Sequence, residues 1–355
     1  MISGLEGHDR LISHGGRDTL SGGAGTDTAV IDASAVSEAI SGGVPSGVLY
    51  RGSTPFVYLS HIEALEYTGN ATGTIAGSGV TGGSGNDLLI GLDGDDRFNG
   101  GLGNNTIDGG AGSDLAIFDF SDRTGHVELV NGGVAGTTYT AWVDGVASGS
   151  VSNVEALGFT GGSGDDRIGG VIGTTLFAVT MSGGAGTDTA VIDASAVSEA
   201  ISGGVPSGVL YRGSTPFVYL SHIEALEYTG NATGTIAGSG VTGGSGNDLL
   251  IGLDGDDRFN GGLGNNTIDG GAGSDLAIFD FSDRTGHVEL VNGGVAGATY
   301  TALIDGVASG SVTNVEALGV TGGSGDDRIG GVIGTTLFAV TMTGGAGTDT
   351  AVIDA

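Results

Sequence analysis

The sequence predicts an all-β solenoid of tandem repeats, and three observations predict it. The stretch from Gly82 to Ile117 reads as four nine-residue units with no residue between them. Glycine accounts for 77 of the 355 residues, against a usual share of about 7%. The chain also repeats itself at a longer period, because residues 21–181 and 182–342 differ at only five positions. Repetition at both periods indicates stacked units that share one core.

Each nine-residue unit combines a turn with a short strand. Positions 1 and 4 are glycine, which permits the left-handed backbone of tight turns. The last three residues, such as Leu88–Ile90, suit one short strand that points a single apolar side chain, at position 8, inward. A unit is therefore half a coil, and two units bring the chain back above its own start.

This geometry predicts which turns stack. Gly82–Asp87 should lie under Gly100–Asn105, and Gly91–Asp96 should lie under Gly109–Asp114. Successive coils are then separated by the inter-strand distance of roughly 4.8 Å. A calcium ion with ligands at about 2.3–2.6 Å fits between two such turns, with backbone carbonyls completing its oxygen shell.

Position 6 of each unit is Asp or Asn, a hard oxygen ligand of the kind that calcium prefers. An asparagine ligates without charge, so the Asp87/Asn105 level is expected to bind calcium more weakly than the Asp96/Asp114 level. The predicted metal ligands are Asp9, Asp18, Asp27, Asp87, Asp96, Asn105, Asp114, Asp166, Asp188, Asp248, Asp257, Asn266, Asp275, Asp327 and Asp349.

The unit resembles the haemolysin-type calcium-binding (RTX) nonapeptide, GGxGxDxUx, whose period is typical of parallel β-helices. The resemblance rests on the four tandem copies from Gly82 to Ile117. It implies a parallel β-roll, several calcium ions as cofactors, calcium-dependent folding and export by a type I secretion system. The predicted fold class is all-β, a right-handed parallel β-roll or β-helix solenoid of tandem repeats. The alternative is a metal-free solenoid with ordinary Gly-Asp turns.

The long repeat divides into half-units, each a nonapeptide block followed by a strand-rich block. Val48–Leu59 reads as strands with turns, and Ser34–Ile40 is the one stretch predicted to form a helix, of a turn or two. The predicted division is an N-terminal coil at 1–21, half-units at 22–108, 109–181, 182–269 and 270–342, and the start of a third repeat at 343–355.

The net charge of −31, with ten arginines and no lysine, limits the possible partners. Such a surface repels nucleic acid and anionic membranes, because binding phosphate backbones requires positive charge. It attracts divalent cations, without which the stacked carboxylates would repel one another. No stretch approaches the roughly 18 apolar residues of a membrane span. We therefore predict no nucleic-acid partner, no membrane span, and folding coupled to calcium.

No motif predicts an enzyme. The acidic stretch Asp93–Asp96 belongs to a repeated turn, whereas a glycosidase needs two carboxyls at a defined separation across a cleft. A sugar-binding aromatic platform is disfavoured, because Trp142 becomes Leu303 in the next copy. Glu63 and Glu155 lie among apolar neighbours and are interpreted as solvent-facing or turn-capping carboxylates, with a further calcium site as the alternative.

The predicted function is structural: a non-enzymatic, secreted, calcium-binding repeat protein of the cell surface or extracellular matrix, such as an adhesin stalk, surface layer or filament. Extracellular calcium modules bind at about 10⁻⁴–10⁻³ M, so folding is expected to follow export. The sequence stops within a predicted strand at Ala355, and unpaired strand edges suggest self-association, either end to end or lateral. The alternative is a calcium-dependent polysaccharide-binding accessory module of a larger secreted enzyme or adhesin.

Overall fold

The computed structural model describes residues 1–13, 16–70, 73–74, 79–131, 138–171, 178–231, 234–235, 240–291, 299–332 and 339–354. Within these residues the regular elements are strands, with one 3-10 helix at Val205–Ser207. Nowhere in these ranges is there a helix long and apolar enough to cross a membrane.

The helix predicted at Ser34–Ile40 is wrong. Residues 34–39 form a turn and a bend, Ile40 begins a strand, and the backbone N–H of Ser34 donates to Asp32 Oδ1 at 3.0 Å. This local side-chain bond offers the backbone an alternative to helix. Forming the first turn of a helix is unfavourable in free energy, and a stretch of seven residues is too short to offset that cost.

The strands are short and evenly distributed along the chain. The first nineteen are β1 Ile2–Ser3, β2 Arg10–Ser13, β3 Asp18–Ser21, β4 Thr28–Asp32, β5 Ile40–Gly43, β6 Val48–Arg51, β7 Thr54–Ser60, β8 Ala64–Thr68, β9 Val80–Thr81, β10 Leu88–Ile90, β11 Arg97–Asn99, β12 Asn105–Asp108, β13 Leu115–Asp119, β14 Val127–Asn131, β15 Tyr139–Val143, β16 Val146–Ser152, β17 Ala156–Thr160, β18 Arg167–Val171 and β19 Ala178–Ser182.

The next seventeen strands repeat this order from β4 to β19 and then begin it again at β4. They are β20 Thr189–Asp193, β21 Ile201–Gly204, β22 Val209–Arg212, β23 Thr215–Ser221, β24 Ala225–Thr229, β25 Val241–Thr242, β26 Leu249–Ile251, β27 Arg258–Asn260, β28 Thr267–Asp269, β29 Leu276–Asp280, β30 Val288–Val291, β31 Tyr300–Ile304, β32 Val307–Thr313, β33 Ala317–Thr321, β34 Arg328–Val332, β35 Ala339–Thr343 and β36 Thr350–Asp354. Ala355 lies outside the described residues.

The chain forms two compact units: the first comprises Met1–Gly170 and Thr175–Gly186, and the second comprises Val171–Thr174 and Thr187–Ala355. This division falls close to Ser182, where the second long copy begins. The finer division into half-units stays a prediction.

In the first unit the strands form two parallel stacks, each interrupted by an antiparallel meander. One stack runs β1-β3-β7-β6-β5-β9-β11-β13-β17-β19, with β7-β6-β5 antiparallel. The other runs β2-β4-β8-β10-β12-β16-β15-β14-β18, with β16-β15-β14 antiparallel. The strand-rich blocks of sequence supply the meanders, and parallel pairing resumes on both sides of each one.

The second unit has the same arrangement. One stack runs β23-β22-β21-β25-β27-β29-β33-β35. The other runs β20-β24-β26-β28-β32-β31-β30-β34-β36. Each unit is therefore an all-β parallel β-roll in which meanders lengthen some of the coils.

The core of each coil is built from the apolar residue at position 8 of the nonapeptide, as predicted. Leu89, Phe98, Ile107 and Ala116 have no solvent-exposed surface. Their neighbours along the strands are more accessible, because successive side chains point to opposite faces of a strand. Since one strand contributes only one inward side chain, the fold needs many coils to bury a sizeable core.

Candidate metal centre

The turns Gly100–Asn105 and Gly109–Asp114 stack so closely on other turns that an added side chain would clash at their second and fourth positions. A Cβ atom on Gly101 would overlap the carbonyl oxygen of Gly83, and one on Gly110 would overlap that of Leu92. Both glycines also have positive φ values, 72° and 98°. The carbonyl oxygens of one turn therefore face the backbone of the next, and the gap between the turns is lined with oxygen.

The side chains at position 6 form columns along the stacks. The backbone N–H of Asp96 donates to Asp114 Oδ1 at 2.7 Å, and that of Asp87 donates to Asn105 Oδ1 at 3.0 Å. The predicted superposition of these turns is confirmed, with a separation of 18 residues. The same bond joins Asp9 to Asp27, Asp248 to Asn266, Asp257 to Asp275, and Asp327 to Asp349.

Asp18 and Asp166, two further predicted ligands, accept hydrogen bonds of a different kind. Asp18 begins strand β3 and accepts a hydrogen bond at 2.6 Å from the hydroxyl of Ser13 within its own turn. Asp166 accepts the backbone N–H of Val127, the first residue of β14, at 2.7 Å. Both lie in the turn region before or at the start of a strand, as predicted, but these bonds connect them to residues outside the nonapeptide columns.

Glutamates outside the nonapeptides continue the columns where a meander intervenes. The backbone N–H of Asp27 donates to Glu63 Oε2 at 2.8 Å, and that of Asp114 donates to Glu155 Oε2 at 2.9 Å. The equivalent bonds in the second unit join Asp188 to Glu224 and Asp275 to Glu316. These glutamates cap turns, one of the roles interpreted from the sequence. The sequence signal is their position directly before an Ala-Leu strand, where the nonapeptides place Asp.

Several buried carboxylate oxygens in these columns have no hydrogen-bond partner. They are Asp27 Oδ2, both carboxylate oxygens of Asp96, Asp114 Oδ2, both carboxylate oxygens of Asp257, and Asp275 Oδ2. Asp27 is 0% exposed and Asp96 is 2% exposed. A buried, uncompensated carboxylate costs several kcal/mol, so these turns are suited to a bound cation.

Five arginines, Arg10, Arg123, Arg167, Arg284 and Arg328, pair with carboxylates outside the position-6 columns. They form ion pairs with Glu66, Asp122, Glu128, Asp283 and Glu289. Glu66, Glu128 and Glu289 lie on strands, while Asp122 and Asp283 are the arginines' own chain neighbours. These ion pairs leave the charge of the position-6 columns to be balanced by another cation.

Burial raises the pKa of the column carboxyls. The pKa of Asp96 rises to about 7, first through burial and then through the charges of Asp114 and Asp95. Burial also raises the pKa of Asp87 to about 7, outweighing two backbone N–H bonds that favour its ionised form. The pKa of Asp114 rises to about 6. Equal values occur at the copies Asp257, Asp248 and Asp275. In the metal-free turns these carboxyls therefore keep their protons to a higher pH than a free aspartate does, and a divalent cation would shift them toward the ionised form.

The donor set fits calcium. No group of three or more His, Cys, Asp or Glu side chains that could hold a metal is found in the described part of the chain. Each level instead combines one or two side-chain oxygens with carbonyl oxygens of the glycine turns. At one level, Asp96 and Asp114 with the carbonyls of Leu92 and Gly94 would hold the ion. Calcium takes six to eight such oxygens in flexible geometry, with water supplying the remainder.

Replacing Asn105 by Asp is expected to strengthen calcium binding at the Asp87/Asn105 level about tenfold, or about 1.4 kcal/mol. Asn105 Nδ2 donates to the carbonyl oxygens of Gly101 and Leu102 at 3.1 and 3.3 Å, so its amide occupies carbonyls that could face an ion. Aspartate at position 105 would leave these two carbonyl oxygens free of the amide and would add a negative charge at this level. Calorimetric calcium titration checks this, with Asn104→Asp at the exposed neighbouring position as the control. Equal tightening in both variants would mean that general charge, not this level, is responsible.

A family model described as the RTX calcium-binding nonapeptide repeat (4 copies) matches residues 1–29, 81–116 and 242–277. These segments contain the columns of stacked nonapeptide turns described above. No curated protein matches the chain.

Proposed function

Because this chain carries RTX calcium-binding nonapeptide repeats, which bind several calcium ions and are typical of secreted proteins, we propose that it is a non-enzymatic structural protein. It acts at the cell surface or in the extracellular matrix, as an adhesin stalk, surface layer or filament, after type I secretion. The observation that carries the proposal is the set of buried carboxylates, exemplified by Asp96 and Asp257, whose oxygens have no partner. At neutral pH such turns become favourable when a cation joins them.

Calcium therefore acts as a folding signal in this proposal. The net charge of −31 opposes compaction of the metal-free chain. Binding free energy at the turns becomes folding free energy, since the unfolded chain has no preformed site. Extracellular modules bind calcium at about 10⁻⁴–10⁻³ M, which fits a chain that becomes rigid only outside the cell.

Exposed apolar side chains support self-association of the folded chain. Val146 is 66% exposed and its copy Val307 is 67% exposed, both directly after the turn of the β15–β16 or β31–β32 hairpin. Trp142 on the same hairpin is 38% exposed. An apolar group repeated in the same position of each copy can form repeated lateral contacts with another chain, whose burial would be favourable.

The proposal is tested by size-exclusion chromatography with light scattering while calcium is added stepwise to chelated protein. We expect a large, expanded monomer that contracts as calcium binds and then grows into oligomers at higher protein concentration. Magnesium at equal ionic strength is the control, because it dehydrates reluctantly and demands octahedral geometry. A hydrodynamic radius that does not respond to calcium would contradict the proposal.

A polysaccharide-binding accessory module is the second candidate, favoured by a polar cavity in the first unit. The cavity has a volume of about 320 Å³ and is lined by Asp32, Ser34, Ser37, Glu38 and Arg51, among others. Hydroxyl, carboxylate and guanidinium groups are suited to hydrogen bonding with sugar hydroxyls. Contraction on calcium without oligomer growth, together with saturable retention on polysaccharide, would favour this candidate.

A further inference from the structure

Several nonapeptide turns lie beneath a much shorter turn instead of another nonapeptide, and three of them leave a buried carboxylate oxygen without a partner. Gly22–Asp27 lies beneath residues 61–63, which join β7 to β8, and Gly109–Asp114 lies beneath residues 153–155, which join β16 to β17. In the second unit, residues 314–316 cover Gly270–Asp275 in the same way. The covering turn has only three residues and lacks the glycines of the RTX pattern.

The first residue of each short turn has the left-handed backbone that glycine usually supplies. The φ values are 52° at His61, 51° at Asn153 and 51° at Asn314. This conformation is uncommon for residues with a side chain, although His and Asn tolerate it better than most. The surroundings of these residues hold them in this uncommon conformation, which suggests that the direction of their carbonyl groups has a role.

That conformation aims a carbonyl oxygen at the first glycine of the turn below. A Cβ atom on Gly109 would overlap the carbonyl oxygen of Asn153, just as one on Gly91 would overlap the carbonyl oxygen of Gly109 within the regular array. The same relation holds between His61 and Gly22, and between Asn314 and Gly270. The short turn therefore places a carbonyl oxygen where a nonapeptide turn stacked at the same position would place one.

A buried carboxylate oxygen without a partner borders each of these glycines. Asp27 Oδ2, Asp114 Oδ2 and Asp275 Oδ2 all lack a hydrogen-bond partner, and all three residues are at most 2% exposed. The position of a Cβ atom on Gly109 is 2.7 Å from Asp114 Oδ2, and that on Gly270 is 2.8 Å from Asp275 Oδ2. The unpartnered oxygen thus lies beside the carbonyl that the short turn directs downward.

The glutamate that ends each short turn adds a second carboxylate. Glu63 Oε2 accepts the backbone N–H of Asp27, Glu155 Oε2 that of Asp114, and Glu316 Oε2 that of Asp275, at 2.8 to 2.9 Å. Two carboxylates therefore meet at one level, the same charge count as in the Asp96/Asp114 pair. Glutamate is one methylene longer than aspartate, which lets a three-residue turn reach the coil below.

We propose that each of these three junctions is a calcium site lying partly outside the nonapeptide repeats. Its ligands are the carboxylate of the aspartate below, the left-handed carbonyl oxygen above, and the carboxylate of the glutamate above, with water completing the shell. The proposal rests on the calcium dependence proposed for the whole chain. It assigns a ligand role to His61, Asn153 and Asn314 through the backbone, and to Glu63, Glu155 and Glu316 through the side chain.

The test counts calcium ions bound per chain by equilibrium dialysis and elemental analysis, at free calcium of about 10⁻³ M. The variant carries Glu63→Gln, Glu155→Gln and Glu316→Gln together, which keeps an acceptor oxygen for the aspartate N–H below but removes the charge. We expect it to lose three ions per chain. The control carries Glu6→Gln, Glu38→Gln and Glu199→Gln at exposed positions, with the same change in net charge and no expected loss.

A parallel variant separates this proposal from calcium binding by the array. Asp96→Asn with Asp257→Asn should remove ions held by nonapeptide turns alone. If this variant loses ions while the triple glutamine variant keeps all of its ions, the junction sites are overturned and the calcium-dependent fold stands. If neither variant loses ions, the ligand assignments in both kinds of turn fail.

The carbonyl ligand is tested at Asn153, where the side chain itself is not proposed to bind. Asn153→Gly retains access to the left-handed conformation and is expected to keep the full number of ions. Asn153→Val disfavours that conformation and is expected to lose one ion. Circular dichroism in calcium confirms that both variants are folded. Full calcium occupancy in the folded valine variant would exclude the carbonyl as a ligand.

Discussion

Removing calcium at neutral pH is expected to unfold the chain, and acidifying the calcium-free protein to about pH 5 is expected to restore much of its strand content. The reason lies in the buried column carboxyls. The pKa values of Asp87, Asp96, Asp248 and Asp257 are raised to about 7 in the metal-free fold, chiefly by burial. At neutral pH these groups must either ionise in a buried site or bind a cation.

The direction of the pH effect follows from linkage. An aspartate in the unfolded chain has a pKa of about 3.9, so between about pH 4 and pH 7 the metal-free fold binds more protons than the unfolded chain. The stability of the metal-free fold therefore falls as pH rises through this window, and is greatest below it. Protonation also reduces the net negative charge that opposes compaction.

Bound calcium is expected to reverse the dependence of folding stability on pH. With the ion bound, the folded state favours the ionised carboxylates, so protons compete with calcium and stability falls as pH is lowered. Urea unfolding followed by circular dichroism, from about pH 8 to pH 4 with calcium or with chelator, should give two curves of opposite slope. Light scattering on the same samples separates folding from precipitation. A chelated protein that is fully folded at pH 8 would contradict this account.

Gly101→Ala is expected to destabilise the first unit by about 3–5 kcal/mol, among the largest effects of any single substitution. Alanine at a φ of 72° carries backbone strain. Its Cβ would also overlap the carbonyl oxygen of Gly83 and force two coils apart. Separating the coils would weaken both the strand pairing and the oxygen-lined gap between the turns.

Gly145→Ala is the matched control, because Gly145 has a similar φ of 77° but no other atom within 4 Å of an added Cβ. We expect it to cost about 1–2 kcal/mol, the backbone strain alone. Denaturant unfolding of both variants in calcium measures the difference, which reports the free energy of close coil stacking. Equal losses in the two variants would indicate that conformational strain, not stacking, is what glycine relieves at Gly101.

Much of the regular array could be predicted from the sequence because its contacts repeat at fixed separations. Leu88 pairs with Thr106 and Arg97 with Leu115, each one full coil away. A strict nine-residue period leaves little choice of register, since a slip of one residue would turn the core side chain outward. The buried side chain at position 8 and the stacking of the position-6 residues follow from that period.

The strand pairing within the meanders, and the aspartate that each glutamate caps, could not be predicted in the same way. Asp27 bonds to Glu63 across 36 residues, but Asp114 bonds to Glu155 across 41. Those separations are set by how an inserted strand pairs, which depends on contacts that the nonapeptide period does not encode. The hydrogen bonds of the Asn105 amide to its own turn were equally hidden, because asparagine can turn either its oxygen or its nitrogen toward a backbone group.

Most of the positions at which the two long copies differ fall in the meander of β14, β15 and β16 and its copy. Parallel pairing resumes on either side of each meander, so a change within its hairpin does not propagate into the neighbouring coils. Three of the five differing positions, Trp142/Leu303, Val143/Ile304 and Ser152/Thr313, lie on strands of this meander. Substitutions within the β15–β16 hairpin and its copy are therefore expected to disturb the coils least, so these hairpins are positions where one copy of an otherwise uniform array can differ from the next.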